Sequence, residues 1–106
     1  MGVFVIACFR PRPGKDAELL DVVRDHLPIL RSQGLVTDRP SYVMRADDGT
    51  IVEVFEWKSA EAIEAAHSNE AVQQLWERFE ATCEYEAIGS LAEGRELFPG
   101  FEPVDV

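Results

Sequence analysis

One stretch, Ile51–Trp57, limits the folds open to this chain because it is apolar on both of its faces. Its sequence, IVEVFEW, alternates two sets of side chains with the period of two that is typical of a strand. One set is Ile51, Glu53, Phe55 and Trp57, and the other is Val52, Val54 and Glu56. Such a strand must be covered on both faces, so a single layer of helices does not suffice.

The segments before this strand have equally clear periodicities. Residues 3–9, VFVIACF, form a continuous apolar run that predicts a central strand, and the RPRPG sequence that follows predicts a turn. From Lys15 to about Gln33, apolar residues recur at steps of three and four, which predicts an amphipathic helix that stops near Gly34. A strand followed by a helix therefore opens the chain.

A second helix is predicted directly after the apolar strand. Ser59 is a favourable N-cap, and the apolar stripe extends to Cys83. Ser68–Asn69 predict a local break because their side chains compete for backbone hydrogen bonds. Residues 85–91 predict a weaker fourth strand. The tail, residues 92–106, contains Pro and Gly and predicts an arm that lies against a surface without forming another element.

The dipeptide Asp48-Gly49 predicts a tight two-residue hairpin between residues 41–46 and the apolar strand. The facing pairs are then Ala46 and Ile51, Met44 and Glu53, and Tyr42 and Phe55. One face of the hairpin carries Tyr42, Met44, Ala46, Ile51, Glu53, Phe55 and Trp57, and the other carries Val43, Arg45, Val52, Val54 and Glu56. We expect the compact valine face to pack under the helices, and the aromatic face to border a cavity or a subunit interface.

The predicted order of elements is βαββαβ, which in a chain of 106 residues matches the ferredoxin-like fold of the α+β class. This fold has a four-stranded antiparallel sheet with two helices on one face. We expect one domain over residues 1–106, with its core in residues 2–91. Because the uncovered face would expose a large apolar patch, we also expect a homodimer in which two sheets pack face to face as an α/β barrel.

Composition argues against several functions. The net charge is −10, from 10 basic and 20 acidic residues, which opposes binding to nucleic acids and anionic membranes. No apolar run approaches the ~20 residues of a membrane helix, and MGVFVIACF lacks the basic leader of a signal peptide, so we expect a cytoplasmic protein. Cys8 and Cys83 lie in apolar patterns without CxxC spacing, which predicts free, buried thiols.

Glu53 is the carboxylate with the clearest case for acid–base chemistry. The predicted register places it between Met44 and the aromatic residues, where loss of water disfavours the charged form and suits it to accept a phenolic or enolic proton. The alternative is a Glu53 that pairs with Arg45 or Arg10, or that reaches solvent at the edge of the sheet.

The two histidines have similar alternatives. His67 is a candidate base or hydrogen-bond donor at the mouth of a pocket, or a structural histidine that bonds the loose backbone at Ser68–Asn69. His26 lies beside the apolar stripe of the first helix and either faces the cavity or sits at the edge of the core. Two histidines without a tight carboxylate cluster do not predict a metal site.

Several aromatic side chains are candidates for binding a flat aromatic ligand. Those expected to contact it are Trp57, Tyr42 and Phe55, with Trp76 and Phe79 as further lining residues. Aromatic residues at strand and helix spacing also serve as ordinary core residues, so both interpretations stay open.

The segment EWKSAEAIEAAH, residues 56–67, resembles the junction of the third strand and second helix in the dimeric α/β-barrel proteins, in particular the antibiotic biosynthesis monooxygenase (ABM) group. The RPRPGK sequence before the first helix and the QGL sequence near residue 34 are similar as well, and the resemblance covers about residues 2–91. It implies a sheet-to-sheet dimer with a cavity between each sheet and its helices. It also implies activities such as cofactor-independent oxygenation of polycyclic phenols or oxidative haem degradation.

Haem degradation is disfavoured by three positions. The haem-degrading members of this superfamily use an asparagine, a tryptophan and a histidine ligand where this chain has Ala7, Ala66 and Trp76. Two hypotheses remain. One is an oxygenase that uses no cofactor, in which Glu53 or His67 deprotonates an aromatic substrate. The other is a non-catalytic dimeric barrel that binds a small hydrophobic ligand, and the two differ in whether a titratable group reaches the ligand.

Overall fold

Five strands and three α-helices make up the fold, and the computed structural model describes residues 1–106. The strands are β1 (Val3–Pro11), β2 (Tyr42–Arg45), β3 (Ile51–Trp57), β4 (Cys83–Glu86) and β5 (Glu102–Pro103). The helices are α1 (Asp16–Ser32), α2 (Ala60–Ala66) and α3 (Glu70–Thr82). Two short 3₁₀ helices, Ile88–Ser90 and Ala92–Arg95, lie between β4 and β5.

The sheet is antiparallel and has the strand order β4-β1-β3-β2-β5. Its two central strands, β1 and β3, pair from Val3 opposite Trp57 to Phe9 opposite Ile51. These are the two strands that were predicted to be apolar on both faces. A strand of that kind is buried on both sides and is therefore expected in the middle of a sheet. The α+β ferredoxin-like fold is therefore confirmed, but the sheet has five strands and not four.

The fifth strand comes from the tail, which was expected to form no element. Glu102 pairs with Arg45 in the ladder and also forms an ion pair with it at 3.0 Å, while the Val104 amide donates to the Val43 carbonyl. These contacts bind the tail to the free edge of β2. The prediction of a strand over residues 85–91 also needs correction, because β4 ends at Glu86 and 3₁₀ turns follow it.

The helix boundaries follow the capping signals. The Ser59 hydroxyl accepts a hydrogen bond from the Ala62 amide at 3.1 Å and starts α2. The expected break is present, and the Asn69 side chain caps α3 by accepting from the Val72 amide at 3.1 Å. After α1, Gly34 has a φ of 71°, the left-handed conformation that a glycine adopts easily at the end of a helix.

The register of the β2–β3 hairpin differs by one residue from the prediction. Tyr42 faces Val54, Val43 faces Glu53, Met44 faces Val52, and Arg45 faces Ile51. The Ala46 amide donates to the Thr50 carbonyl, so the loop has three residues and not two. Gly49 takes a φ of 94°, and the Asp48 carboxylate accepts from the Thr50 amide at 2.9 Å. A one-residue shift moves each β2 side chain to the opposite face.

The face of the sheet that packs under the helices is the aromatic face and not, as expected, the valine face. Ile51, Phe55 and Trp57 lie on the helix side and form the main core with α1, α3 and Val43. The valine face is the outer one. At one end it is covered by Leu91, the residue that joins the two 3₁₀ helices. The rest of this face has no cover within the chain. Three large residues are exposed there: Phe4 at 59%, Ile6 at 54% and Tyr42 at 65%. No helix is long and apolar enough to cross a membrane.

Candidate functional site

A cavity of about 480 Å³ lies between the helix side of the sheet and helices α1 and α3. This volume is within the range of small-molecule sites. Its lining is mainly apolar: Val5, Ala7, Cys8, Phe9, Phe55, Trp57, Trp76, Phe79 and Tyr85. The remaining lining residues are His26, Glu80 and Glu86. Because Glu80 and Tyr85 are exposed, they mark the mouth of the cavity.

His26 and Glu53 form a buried hydrogen bond beside this cavity. Nδ1 of His26 lies 2.6 Å from Oε1 of Glu53, and the two side chains are only 5% and 1% exposed. The ladder neighbours of Glu53 are Ala7 and Val43, which are small enough to let a ring from α1 reach the strand. An ionised carboxylate can only accept, so Nδ1–H is the donor.

This bond determines what the other ring nitrogen can do. With the proton on Nδ1, Nε2 of a neutral imidazole is an acceptor, and it makes no hydrogen bond within the chain. The ring is held edge-on by Phe55 at 5.2 Å and Phe79 at 4.9 Å between centroids. His26 lines the cavity, whereas Glu53 lies behind it. The arrangement is a carboxylate–histidine pair that can accept a proton from a bound molecule.

Glu53 therefore does not take the arginine partners that the sequence left open. Arg45 pairs with Glu102 and Arg10 pairs with Glu86. Glu53 is buried, which is one of the alternatives that the sequence left open, although its neighbour is His26 and not Met44, which the shifted register places on the outer face.

His67 is outside the cavity lining. Its Nδ1–H donates to the Ile63 carbonyl at 3.0 Å, which is the preceding turn of α2 and not the backbone at Ser68–Asn69. The ring packs edge-on against Trp76 at 5.1 Å and is exposed. A base at this position would reach the cavity only through Trp76, so the geometry favours the structural interpretation.

Of the predicted ligand-binding residues, Trp57, Phe55 and His26 line the cavity, and so do Trp76 and Phe79. Tyr42 does not, because the hairpin register places it on the outer face. The sequence argument missed Phe9 and Tyr85. Phe9 had a signal, since it shares the alternate positions of β1 with Val5. Tyr85 had a weaker one, because it was placed in the predicted fourth strand, whose bounds were drawn too late in the chain.

Tyr85 stays protonated near neutral pH. Partial burial of the ring, with Cys83 and Glu80 nearby, raises its pKa to about 12. It packs edge-on against Phe9, with 5.9 Å between ring centroids. The mouth of the cavity thus has a neutral hydroxyl group that can donate a hydrogen bond to a bound oxygen atom.

The cysteines are free and buried, as the sequence predicts. Burial raises the pKa of the Cys83 thiol to about 11, and burial together with the Glu86 carboxylate raises that of Cys8. Both thiols are therefore protonated and poorly nucleophilic near neutral pH.

No group of three or more His, Cys, Asp or Glu side chains is arranged to hold a metal ion.

Comparison with known proteins gives one family and one solved structure. The family model of antibiotic biosynthesis monooxygenases matches residues 2–78. The fold is similar to the crystal structure of SnoaB, a cofactor-independent oxygenase from Streptomyces nogalater, with a TM-score of 0.68 and 17% sequence identity. The alignment covers 80% of this chain and 86% of SnoaB. No curated protein sequence has a significant match.

Proposed function

The chain belongs to the antibiotic biosynthesis monooxygenase family, and on that premise we propose that it oxygenates an aromatic, phenolic substrate without a cofactor. The observation that carries the proposal is the buried His26–Glu53 pair on the wall of an apolar cavity. A substrate that reacts with O₂ unaided must first be made electron-rich, and removal of a proton does this. The similar fold of SnoaB, itself a cofactor-independent oxygenase, adds support.

In the proposed reaction, Nε2 of His26 removes the phenolic proton. Glu53 holds the ring in the required tautomer and balances the charge of the imidazolium that forms. The phenolate then reacts with O₂ at a ring carbon, and loss of water from the resulting hydroperoxide leaves a carbonyl group. One oxygen atom stays in the quinone product and the other leaves as water, together with the hydrogens of the ring C–H and the phenol.

The cavity favours a flat, apolar substrate. Trp57, Phe55 and Phe79 offer ring surfaces for packing against an aromatic molecule. The Tyr85 hydroxyl is available to orient a substrate oxygen from the mouth. A volume of about 480 Å³ is enough for a fused-ring phenol.

We also propose that the protein is a homodimer whose outer sheet faces pack together. Phe4, Ile6 and Tyr42 would otherwise form an exposed apolar surface in the middle of the sheet. A two-fold contact between identical faces buries this surface without involving the charged helices. The expected cytoplasmic location is kept as part of this proposal.

Oxygen uptake by the purified protein tests the function. We expect it to convert a naphthol or an anthrone to the corresponding quinone in the presence of a chelator, with one O₂ consumed per product. His26→Gln should abolish turnover. His67→Gln is the matched control, because it removes the other histidine from outside the cavity and should stay active. Equal loss in both variants, or no turnover of any phenol by the wild type, would leave the non-catalytic binding protein as the better interpretation.

A further inference from the structure

The mouth of the cavity carries an excess of negative charge. Glu80 and Glu86 line it, whereas the side chain of Glu84 lies on the opposite face of β4 from Tyr85. Arg10 pairs with Glu86 at 3.1 Å and Arg12 pairs with Glu84 at 3.3 Å. Glu80 is left without an ion pair, because Arg12 donates only to its backbone carbonyl. One of the two carboxylates that line the mouth, Glu80, therefore has no cationic partner.

No positive side chain inside the cavity offsets this excess. Neither lysine nor arginine occurs in the lining, and the only basic group there, His26, is already paired with the buried carboxylate of Glu53. A ligand carboxylate entering the cavity would lose its water without gaining a cation, which is unfavourable in a site of low polarity. A neutral ligand of the same shape does not bear this cost.

We propose that the cavity selects uncharged aromatic molecules, such as phenols and aryl esters, and rejects the corresponding carboxylic acids, with Glu80 as the main specificity determinant. The proposal rests on the proposed function in one respect, since it takes this cavity as the substrate site. The specificity narrows the substrate class to phenols that carry no free carboxylate.

Binding can be measured without turnover, because both tryptophans of the chain, Trp57 and Trp76, line the cavity. We would titrate the protein anaerobically with hydroxynaphthoate and with its methyl ester, and follow quenching of tryptophan fluorescence. At neutral pH the ester should bind at least ~10-fold more tightly than the carboxylate. Equal affinity, tighter binding of the carboxylate, or no binding of either ligand would overturn the proposal.

A pair of charge variants identifies the residue responsible. Glu80→Lys should shift the ester-to-acid preference toward the acid by ~10-fold, because it places a cation at the mouth. Glu77→Lys makes the same change in net charge at an exposed position of α3 outside the cavity lining, and should leave the preference unchanged. If both variants shift it equally, the effect comes from overall charge and Glu80 is not the determinant. Glu80→Gln is a milder second variant, which should lower the ester-to-acid preference by a factor of about two or more.

The two proposals fail separately. An ester preference in a protein that oxidises no phenol would remove the oxygenase and keep the specificity of the cavity. Turnover of acid and ester phenols with the same kcat/KM would keep the oxygenase and remove the specificity.

Discussion

His26 in α1 and Glu53 in β3 are joined by a hydrogen bond of 2.6 Å in the interior of the protein. The two residues are 27 positions apart, and each lies in a segment that is otherwise apolar on the same side. Burying such a pair costs free energy that an apolar pair would not, so it is more readily explained by chemistry than by stability. Because His26 lines the cavity, the pair can react with a molecule bound there.

Glu53→Gln tests whether the carboxylate supports proton transfer. The amide keeps the shape and can still accept from Nδ1–H, but it cannot balance the charge of a protonated ring. We expect kcat to fall by ~100-fold or more with little change in KM. Steady-state oxygen uptake measures both constants. Glu77→Gln is the control at an exposed position of α3 and should behave as the wild type, whereas an unchanged kcat in Glu53→Gln would remove Glu53 from the mechanism.

A double-mutant cycle tests the energetic coupling of the same pair. Glu53→Leu and His26→Phe should each lower the free energy of unfolding by about 3–5 kcal/mol, because each leaves a buried polar partner unpaired. The double variant should be less destabilised than the sum, and close to the wild type, because both polar groups are then absent. Urea unfolding at one fixed protein concentration measures this. Additive losses would mean that the two side chains do not interact in solution.

Ile6→Asp tests the proposed dimer. Ile6 is 54% exposed in the middle of the outer sheet face, so the substitution should not unfold the chain but should place two carboxylates in the two-fold contact. In sedimentation experiments the wild type should have twice the mass of one chain, and the variant should have the mass of one. Gln74→Asp adds the same charge on α3 and should stay dimeric. A wild type that is monomeric at micromolar concentration would contradict the proposal.

The titration of Tyr85 gives a test at high pH. The raised pKa means that the folded protein holds this proton more tightly than the unfolded chain does, so the contribution to stability is complete below pH 10 and is lost as the pH rises toward 12. Because the residue is 60% exposed, water screens part of the effect, and the midpoint should lie above 10 and no higher than about 12. The difference in tyrosinate absorbance between the wild type and Tyr85→Phe isolates this midpoint. A midpoint at 10 would place Tyr85 in open solvent.

Much of the architecture was predictable because its signals are local. The two-sided apolar pattern of residues 3–9 and Ile51–Trp57 placed these strands at the centre of the sheet. Ser59 and Asn69 cap α2 and α3 with their own side chains, so the start of one helix and the break before the next could be inferred from the residue types. Only the immediate neighbours in the chain are needed for such features.

The β2–β3 hairpin shows what the local sequence does not predict, namely the length of the loop and the register of the strands. Asp48-Gly49 correctly predicted a turn, but its length depended on which carbonyl the Ala46 amide would reach and on the bond between Asp48 and Thr50. One extra loop residue then moved Tyr42 from the predicted site to the outer face. β5 is a similar case, since its pairing depends on the free edge of β2, nearly 60 positions away in the sequence.

The sequence by itself determined the first three strands, the helices and the break between the last two of them, and it showed that both central strands need cover on two sides. Only the tertiary structure decided that His26 is the partner of Glu53, that the aromatic face lies under the helices, and that Glu80 and Tyr85 meet at the mouth of the cavity. The physical reason is that periodicity and capping depend on residues a few positions apart. Side-chain partners depend instead on the register of strands and the packing of helices, which no single segment specifies.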